Sequence, residues 1–287
     1  MASLAQAHAV SMRFGAATVV DSVSLAVESG EVVGLLGANG AGKTTLIRLL
    51  LGLLRASGGT VTLLGSRPCI ATRRRVGYVP QTLGLYLDLS VRQNWAFTAS
   101  AFRAGRHPLP DAIAAWSDEL AGTLPLGTQR RVTFALALSH HPELLVLDEP
   151  TSGVGPLSAA RLWQEVRETA ERGSGVLVTT HNMAEAEQCD RLAVMAGGRV
   201  AAAGTVAQIV GGAQVTEVRT DHWRRAYSAL EAGGLAVQLQ GEQLRVAAPA
   251  ATVAALLSGK GIHATASAVP ASLEEAFMAV VARSPAR

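Results

Sequence analysis

The chain has 287 residues, 49% of them hydrophobic, and a formal net charge of +3. That is ample apolar material for one or two packed domains, which excludes disorder over most of the length, and too little charge to argue for nucleic acid or anionic lipid as a partner. Two isolated cysteines, Cys69 and Cys189, exclude a disulfide framework or a cysteine zinc site and fit a reducing cytosol, and no window reaches the ~18 consecutive apolar residues of a membrane span.

The first residues, Met1 to His8, lack the positive and apolar regions of a secretory leader. Ala7–Ser11 and Val23–Val27 alternate at period two, which predicts an antiparallel pair with one solvated face; Val61–Leu64 and Val76–Val79 continue that pattern. Between them Gly30–Leu36 is a short apolar run, the pattern of a buried strand, and Leu46–Leu51 is the start of a helix. The segment joining them is Gly37-Ala38-Asn39-Gly40-Ala41-Gly42-Lys43-Thr44-Thr45. Strand, then Gly37-x-x-x-x-Gly42-Lys43-Thr44, then helix is the context of a phosphate cradle. Glycines let successive N–H groups turn inward, and the helix N-terminus adds its positive dipole end. Lys43 supplies charge for the β- and γ-phosphates, and the Thr44 hydroxyl a ligand for Mg²⁺. A nucleoside triphosphate is therefore expected as ligand. The basic run Arg73-Arg74-Arg75 reads as a solvated loop or helix end.

From Ser90 to His141 the period becomes helical, with Ser90 and Asp111 as expected N-caps and a break at Pro108 and Pro110. Leu144–Leu147 is a continuous apolar run ending in Asp148-Glu149. Leu157–Ala170 has helical spacing, and Val176–Thr180 repeats the apolar design and ends at His181. Strand–helix–strand at this length predicts a parallel sheet, with Gly37, Asp148 and His181 converging at its carboxyl edge. There Asp148 can hold Mg²⁺, directly or through water, while the adjacent Glu149 polarises the attacking water as general base. After Gly211-Gly212 the tail alternates strands and helices: Val215–Thr220, His222–Glu231, Ala236–Ala247, Thr252–Leu257, His263–Ala268 and Leu273–Ala282. It carries no cluster of catalytic residue types and reads as a small α+β appendage.

In order, these motifs resemble the nucleotide-binding subunit of ABC transporters over residues 1 to about 210. The resemblance implies an α/β fold, a P-loop ABC ATPase core of mixed sheet, antiparallel β subdomain and helical subdomain, followed by a small α+β domain. Domains are expected at 1–212, with the helical subdomain at about 83–142, and at 213–287. Gly37–Thr45 is similar to the family's Walker A loop, and Asp148 and Glu149 to its Walker B and catalytic glutamate. Gln81 falls at the Q-loop position that touches Mg²⁺ or its water and senses the permease. His181 resembles the switch histidine on the γ-phosphate. Phe14 falls where an aromatic ring stacks on adenine, although for Phe14 alone core packing is an equal reading.

Two departures stand out. Leu124-Pro125-Leu126-Gly127-Thr128-Gln129 aligns with the family's signature, usually Leu-Ser-Gly-Gly-Gln, which reaches across a head-to-tail dimer to the partner's γ-phosphate. Pro125 has neither hydroxyl nor N–H, so phosphate contacts are lost, while Gly127 and the helix dipole remain. Gly155 stands where the family usually has an aspartate that couples the two sites. The span from Gln81 to Pro125 is also short for the family, so the helical subdomain is expected to have lost a helix or to be loosely formed. Pro125-Leu126-Gly127 and the terminal Leu273-Glu274-Glu275-Ala276-Phe277 are similar to forms found in exporters of drugs and lipids.

The expected protein is thus an ATP- and Mg²⁺-dependent ATPase in the cytoplasm, peripheral on the inner membrane face. It would drive a separate membrane-spanning permease, paired with itself or with a homologous chain, and nucleic acid is not an expected partner. If the partner carries an ordinary signature, this chain's own P-loop would sit in the active site of the pair. Two alternatives stay open: a permease-free ABC-type ATPase of translation or DNA maintenance, and a regulatory nucleotide-binding subunit with weak hydrolysis.

Overall fold

In the computed structural model, which describes residues 3–103 and 108–282, the chain opens on strands β1 (Ala5–Phe14), β2 (Ala17–Val27) and β3 (Val32–Gly37). Helix α1 (Lys43–Leu50) and strand β4 (Gly58–Leu63) follow. β1 pairs antiparallel with both β2 and β4. Buried and exposed residues broadly alternate along β1 and β2, as one solvated face requires. β3 differs, being buried at every residue, because it belongs to a sheet covered on both faces.

Next come α2 (Ile70–Arg73), β5 (Val76–Val79) and the helical segment of α3 (Val91–Phe102), α4 (Asp111–Ala114) and α5 (Leu126–Leu138). They lead to β6 (Leu144–Asp148), α6 (Pro156–Glu171), β7 (Gly175–Thr180), the short α7 (Met183–Ala186), β8 (Arg191–Ala196) and β9 (Arg199–Gly204). The second sheet runs β5-β6-β7-β3-β8-β9, parallel from β5 through β8. Its register sets Asp148 beside Thr179 and Leu36 beside Thr180. The tips of β3, β6 and β7 therefore open at one edge, where such sheets take their ligands. One face of α1 is buried among Val10, Val20 and Val23 of the antiparallel strands and Val33, Leu35 and Val146 of the parallel ones. Both sheets thus hold α1, and with it the loop that precedes it. Truncating a fully buried residue such as Leu46 to alanine in a core of this kind costs about 2–5 kcal/mol.

Two expectations change. Val76–Val79 does not extend the antiparallel pattern: β5 pairs parallel with β6, as the edge strand of the second sheet. Four residues hold too little periodicity to reveal that partner. Asp111 is not an N-cap. Pro110 occupies that position, its carbonyl accepting from the N–H groups of Ile113 and Ala114, and Asp111 lies in the first turn. Ser90 does cap α3, in a reciprocal box with Gln93. The helical segment is well packed despite its shortness, with Val91, Ile113 and Val132 fully buried in a common cluster.

The chain divides into two compact units, Met1–Val200 and Ala201–Arg287, so the passage between them falls within β9, ahead of Gly211 and Gly212. The second unit contains α8 (Val206–Gly211), β10 (Val215–Arg219), α9 (Trp223–Ala232), β11 (Val237–Gln240), β12 (Gln243–Val246), α10 (Ala250–Gly259), β13 (Thr265–Val269) and α11 (Leu273–Ala282). Its antiparallel sheet runs β11-β12-β10-β13. Val218, Leu230, Leu244, Val246 and Val253 form its fully buried core. Each tail element read from periodicity is found within a few residues of its expected place.

Candidate functional site

The loop between β3 and α1 lines an open pocket of about 260 Å³, together with Val19, Gln81 and Glu149. Gly42 shows why this loop needs glycine. Its φ is +99°, and an added Cβ would stand 2.7 Å from the Val19 carbonyl. Ala38, Asn39 and Gly40 are exposed, while Ala41 and Gly42 are buried. Lys43, the first residue of α1, is only 5% exposed. Its Nζ donates to the carbonyls of Gly37 (2.8 Å) and Ala38 (3.2 Å) and lies 3.4 Å from Glu149 Oε1.

Glu149 is the hub of the site. It follows β6 in a left-handed conformation, φ +50°, which a non-glycine residue keeps only when its surroundings hold it there. The Glu149 N–H donates to the Thr179 hydroxyl (2.9 Å) and carbonyl (3.2 Å). That step leaves the carboxylate among three side chains of the expected site: Lys43, Gln81 Nε2 at 3.4 Å and His181 Nδ1 at 3.6 Å from Oε2. Asp148 Oδ1 accepts from Thr44 (3.2 Å) and Thr179 (2.6 Å). Its Oδ2 is buried without a hydrogen-bond partner. A buried carboxylate oxygen left over on Asp148, with the Thr44 hydroxyl on the same carboxylate, fits Mg²⁺, which takes few protein ligands and completes its shell from phosphate and water. The described residues contain no cluster of three His, Cys, Asp or Glu side chains able to hold a metal alone.

The structure therefore brings Lys43, Thr44, Gln81, Asp148, Glu149 and His181 together. It leaves others apart. Phe14 ends β1 half-exposed, outside the lining of this pocket. Pro125, Leu126 and Gly127 also lie outside that lining. Pro125 is the N-cap of α5 with φ −56° and ψ 147°, and it makes no side-chain cap. Leu126 is 42% exposed and rests over Gly153, where an added Cβ would meet its Cδ2 at 2.8 Å.

Three side chains escaped the sequence reading. Thr179 joins Asp148 to the Glu149 backbone. Glu185 accepts from Thr151, just past Glu149, and from Thr180 (2.7 Å), just before His181. Arg130, only 5% exposed, donates to the carbonyls of Pro80 (3.3 Å) and Gln81 (2.9 Å). Burial lowers the pKa of its guanidinium, while the nearby Asp148 and Glu149 carboxylates act to raise it. None of the three stands in a pattern that names its chemistry. Only the downstream placement of Glu185 on the helix after His181 offered a hint.

A glycine-rich loop feeding a helix N-terminus, with a metal-ready aspartate and an adjacent glutamate on a neighbouring parallel strand, defines a P-loop nucleoside triphosphatase. The family model described as ABC transporter matches residues 20–152. The Nod factor export ATP-binding protein I of Burkholderia lata is 37% identical over 292 aligned positions, covering 96% of this chain and 95% of that protein. The probable multidrug ABC transporter ATP-binding protein YbhF of Escherichia coli is 36% identical over 212 positions, covering 70% of this chain and 37% of that protein. Among solved structures, an ATP-binding subunit of an ABC transporter superposes with a TM-score of 0.67 at 30% identity, covering 72% of this chain and 91% of that one. The dimeric structure of a bacterial ABC transporter cassette superposes at 0.62 and 20% identity, a likeness of fold, covering 70% of this chain and 98% of that one. The chain belongs to the ABC transporter ATP-binding family, whose members are ATPases coupled to transport. No described helix is long and apolar enough to cross a membrane.

Proposed function

We propose that this chain hydrolyses ATP in a head-to-tail dimer and uses the cycle to drive a separate membrane-spanning permease in export, from the cytoplasmic face of the membrane. The convergence of Lys43, Gln81 and His181 on Glu149 carries this reading. The 37% identity to a protein named for Nod factor export, over nearly the whole length of both chains, supports the direction. A drug, lipid or other hydrophobic compound is the cargo class proposed.

In this reading the loop amides from Gly37 to Thr45 and the Lys43 ammonium hold the phosphates, and Phe14 stacks on adenine. Thr44, Asp148 and Gln81 would hold Mg²⁺, which when bound neutralises charge developing on the transferred phosphoryl group. Glu149 orients and deprotonates the attacking water, and His181 supports the γ-phosphate. A second groove of about 410 Å³ is lined by Leu53, Ile70, Arg73, Arg74, Tyr78 and Phe102, with Leu53 and Ile70 more than half exposed. Tyr78 lies on β5, the strand leading to Gln81, so a permease segment seated there would press on the strand that carries the metal-side glutamine.

The test is steady-state ATPase of the purified chain with Mg²⁺, wild type against Glu149→Gln. Loss of turnover with ATP binding retained supports the reading. Equal rates would assign Glu149 no part in turnover, and no turnover in either chain would favour a regulatory nucleotide-binding subunit. Recovery of the chain with ribosomes or DNA, in place of a membrane protein, would favour the permease-free alternative.

A further inference from the structure

Arg130 sits in the second turn of α5, the helix that begins at Pro125. Five residues of helix rise about 7.5 Å, so its guanidinium reaches from the body of the subdomain while the helix N-terminus faces outward with Pro125 and Leu126 exposed. Its two terminal nitrogens donate to the carbonyls of two consecutive residues, Pro80 and Gln81. The group is buried, and its Nε has no hydrogen-bond partner. A planar guanidinium forked onto two carbonyls in a dry setting is a stiff joint. It has few solvated alternatives to move to, because a buried charge that loses its partners is not repaid by water. On the far side of the joint, Gln81 Nε2 meets Glu149 Oε2 at 3.4 Å.

We propose that Arg130 is a positioning residue that fastens the start of α5 to Gln81 and so sets the place of Gln81 against Glu149. The inference rests on the ATPase reading above and adds a route within it. The loop at Pro125–Gly127, which this chain would lend to a partner's nucleotide, is mechanically continuous with the chain's own water-activating carboxylate. That continuity matters here because Gly155 carries no side chain with which to couple the two sites. The hydrogen bonds of Arg130 go to the Pro80 and Gln81 carbonyls and not to the phosphate-binding loop or Glu149; its charge also acts on Asp148 and Glu149 through space, a contribution that Arg130→Lys retains while losing the fork.

A double-substitution cycle on the full-length chain tests this, using Arg130→Met, Gln81→Ala and the pair. Arg130→Lys keeps the charge without the fork, and circular dichroism melts check folding. Arg130→Met is expected to lower kcat by roughly tenfold with KM for ATP within about twofold, since it removes both hydrogen bonds that orient Gln81 and no phosphate contact. The double variant is expected to be no slower than Gln81→Ala alone, and Arg130→Lys to recover part of the loss. Multiplicative losses in the cycle, a kcat left at the wild-type value, or losses of kcat and thermal stability that Lys restores in equal measure would overturn the inference and leave the ATPase reading standing. Absence of turnover in the wild-type chain would overturn both.

Discussion

Lys43 Nζ lies 3.4 Å from Glu149 Oε1, and both side chains are buried. The cation proposed for the phosphates and the carboxylate proposed for water are therefore held within reach of each other, one at the start of α1 and the other just past the end of β6. Lys43 also donates to two loop carbonyls, so it helps to shape the loop in addition to the charge proposed for it.

That double duty gives the first prediction. Lys43→Met should weaken ATP binding by roughly 100-fold, the loss of about 2.7 kcal/mol expected for hydrogen bonds to charged oxygens. Titration calorimetry of the full chain with ATP and Mg²⁺ measures it. An affinity within threefold of wild type would remove Lys43 from the phosphate contacts.

A second prediction concerns the loop at Pro125. Its dihedrals are those of an N-cap, so serine fits without strain and gains a side chain able to cap α5. Pro125→Ser should raise stability by about 0.5–2 kcal/mol. If the loop meets a partner's phosphate, it should also raise turnover by roughly tenfold, the worth of one charged hydrogen bond. Raised stability with unchanged turnover would mean that position 125 meets no phosphate.

His140 supplies a pH dependence. Its ring stacks on Phe102 with centroids 3.9 Å apart, its Nε2 lies 3.2 Å from the Val76 carbonyl, and its Nδ1 is buried without a partner. Burial holds its pKa below the ordinary 6.5, with the Val76 carbonyl opposing and His141 adding to the shift. Below the unfolded value the unfolded chain binds the proton more readily than the folded one. The contribution to stability is thus complete above about pH 6.5 and is lost as pH falls through the lowered folded pKa. Thermal melts between about pH 8 and pH 5 should fall less steeply for His140→Gln than for wild type. Parallel curves would show that the ring stays unprotonated, or equally exposed, in both states.

The terminal Leu273–Phe277 motif can be tested for what it does inside its own unit. Glu275 accepts from Arg245 at 2.6 and 3.0 Å and closes a capping box with Ser272. Burial pushes its carboxyl up, yet Arg245 and Ser272 together hold it below the ordinary range. Glu275→Gln should cost on the order of 2 kcal/mol, less than the ~3–5 of a wholly buried broken pair because Arg245 keeps some solvent. Chemical denaturation followed by Trp223 fluorescence would measure it, and an unchanged midpoint would make the pair ornamental.

How far the sequence led depends on what kind of information each feature needs. Gly37 to Thr45 was legible because its chemistry is local: a strand, a glycine turn and a helix start are all written within a short stretch. Asp148, Glu149 and His181 were legible as strand tips. β5 was not, since the choice between an antiparallel and a parallel neighbour is made by residues distant in the chain. Arg130 was invisible for a related reason. In sequence it is one of two adjacent arginines on a helix, and only folding makes one of them a buried fork on Pro80 and Gln81 while Arg131 lies over the Trp116 ring. The Glu149 conformation likewise has no sequence signature, because its surroundings impose it.

The backbone at Gly153, beneath Leu126, has a consequence for how this surface can change over generations. At 153 the backbone itself holds glycine, with φ +74°, whereas the Leu126 Cδ2 that an added Cβ would meet is the far end of an exposed side chain and can swing away. Position 153 is therefore expected to stay glycine over generations whatever stands at 126, while 126 is free to vary. Homologous chains that carry glycine at the position of Leu126 should keep glycine at 153 all the same, and grafting the 126 loop alone between such lineages should fit as well as grafting both.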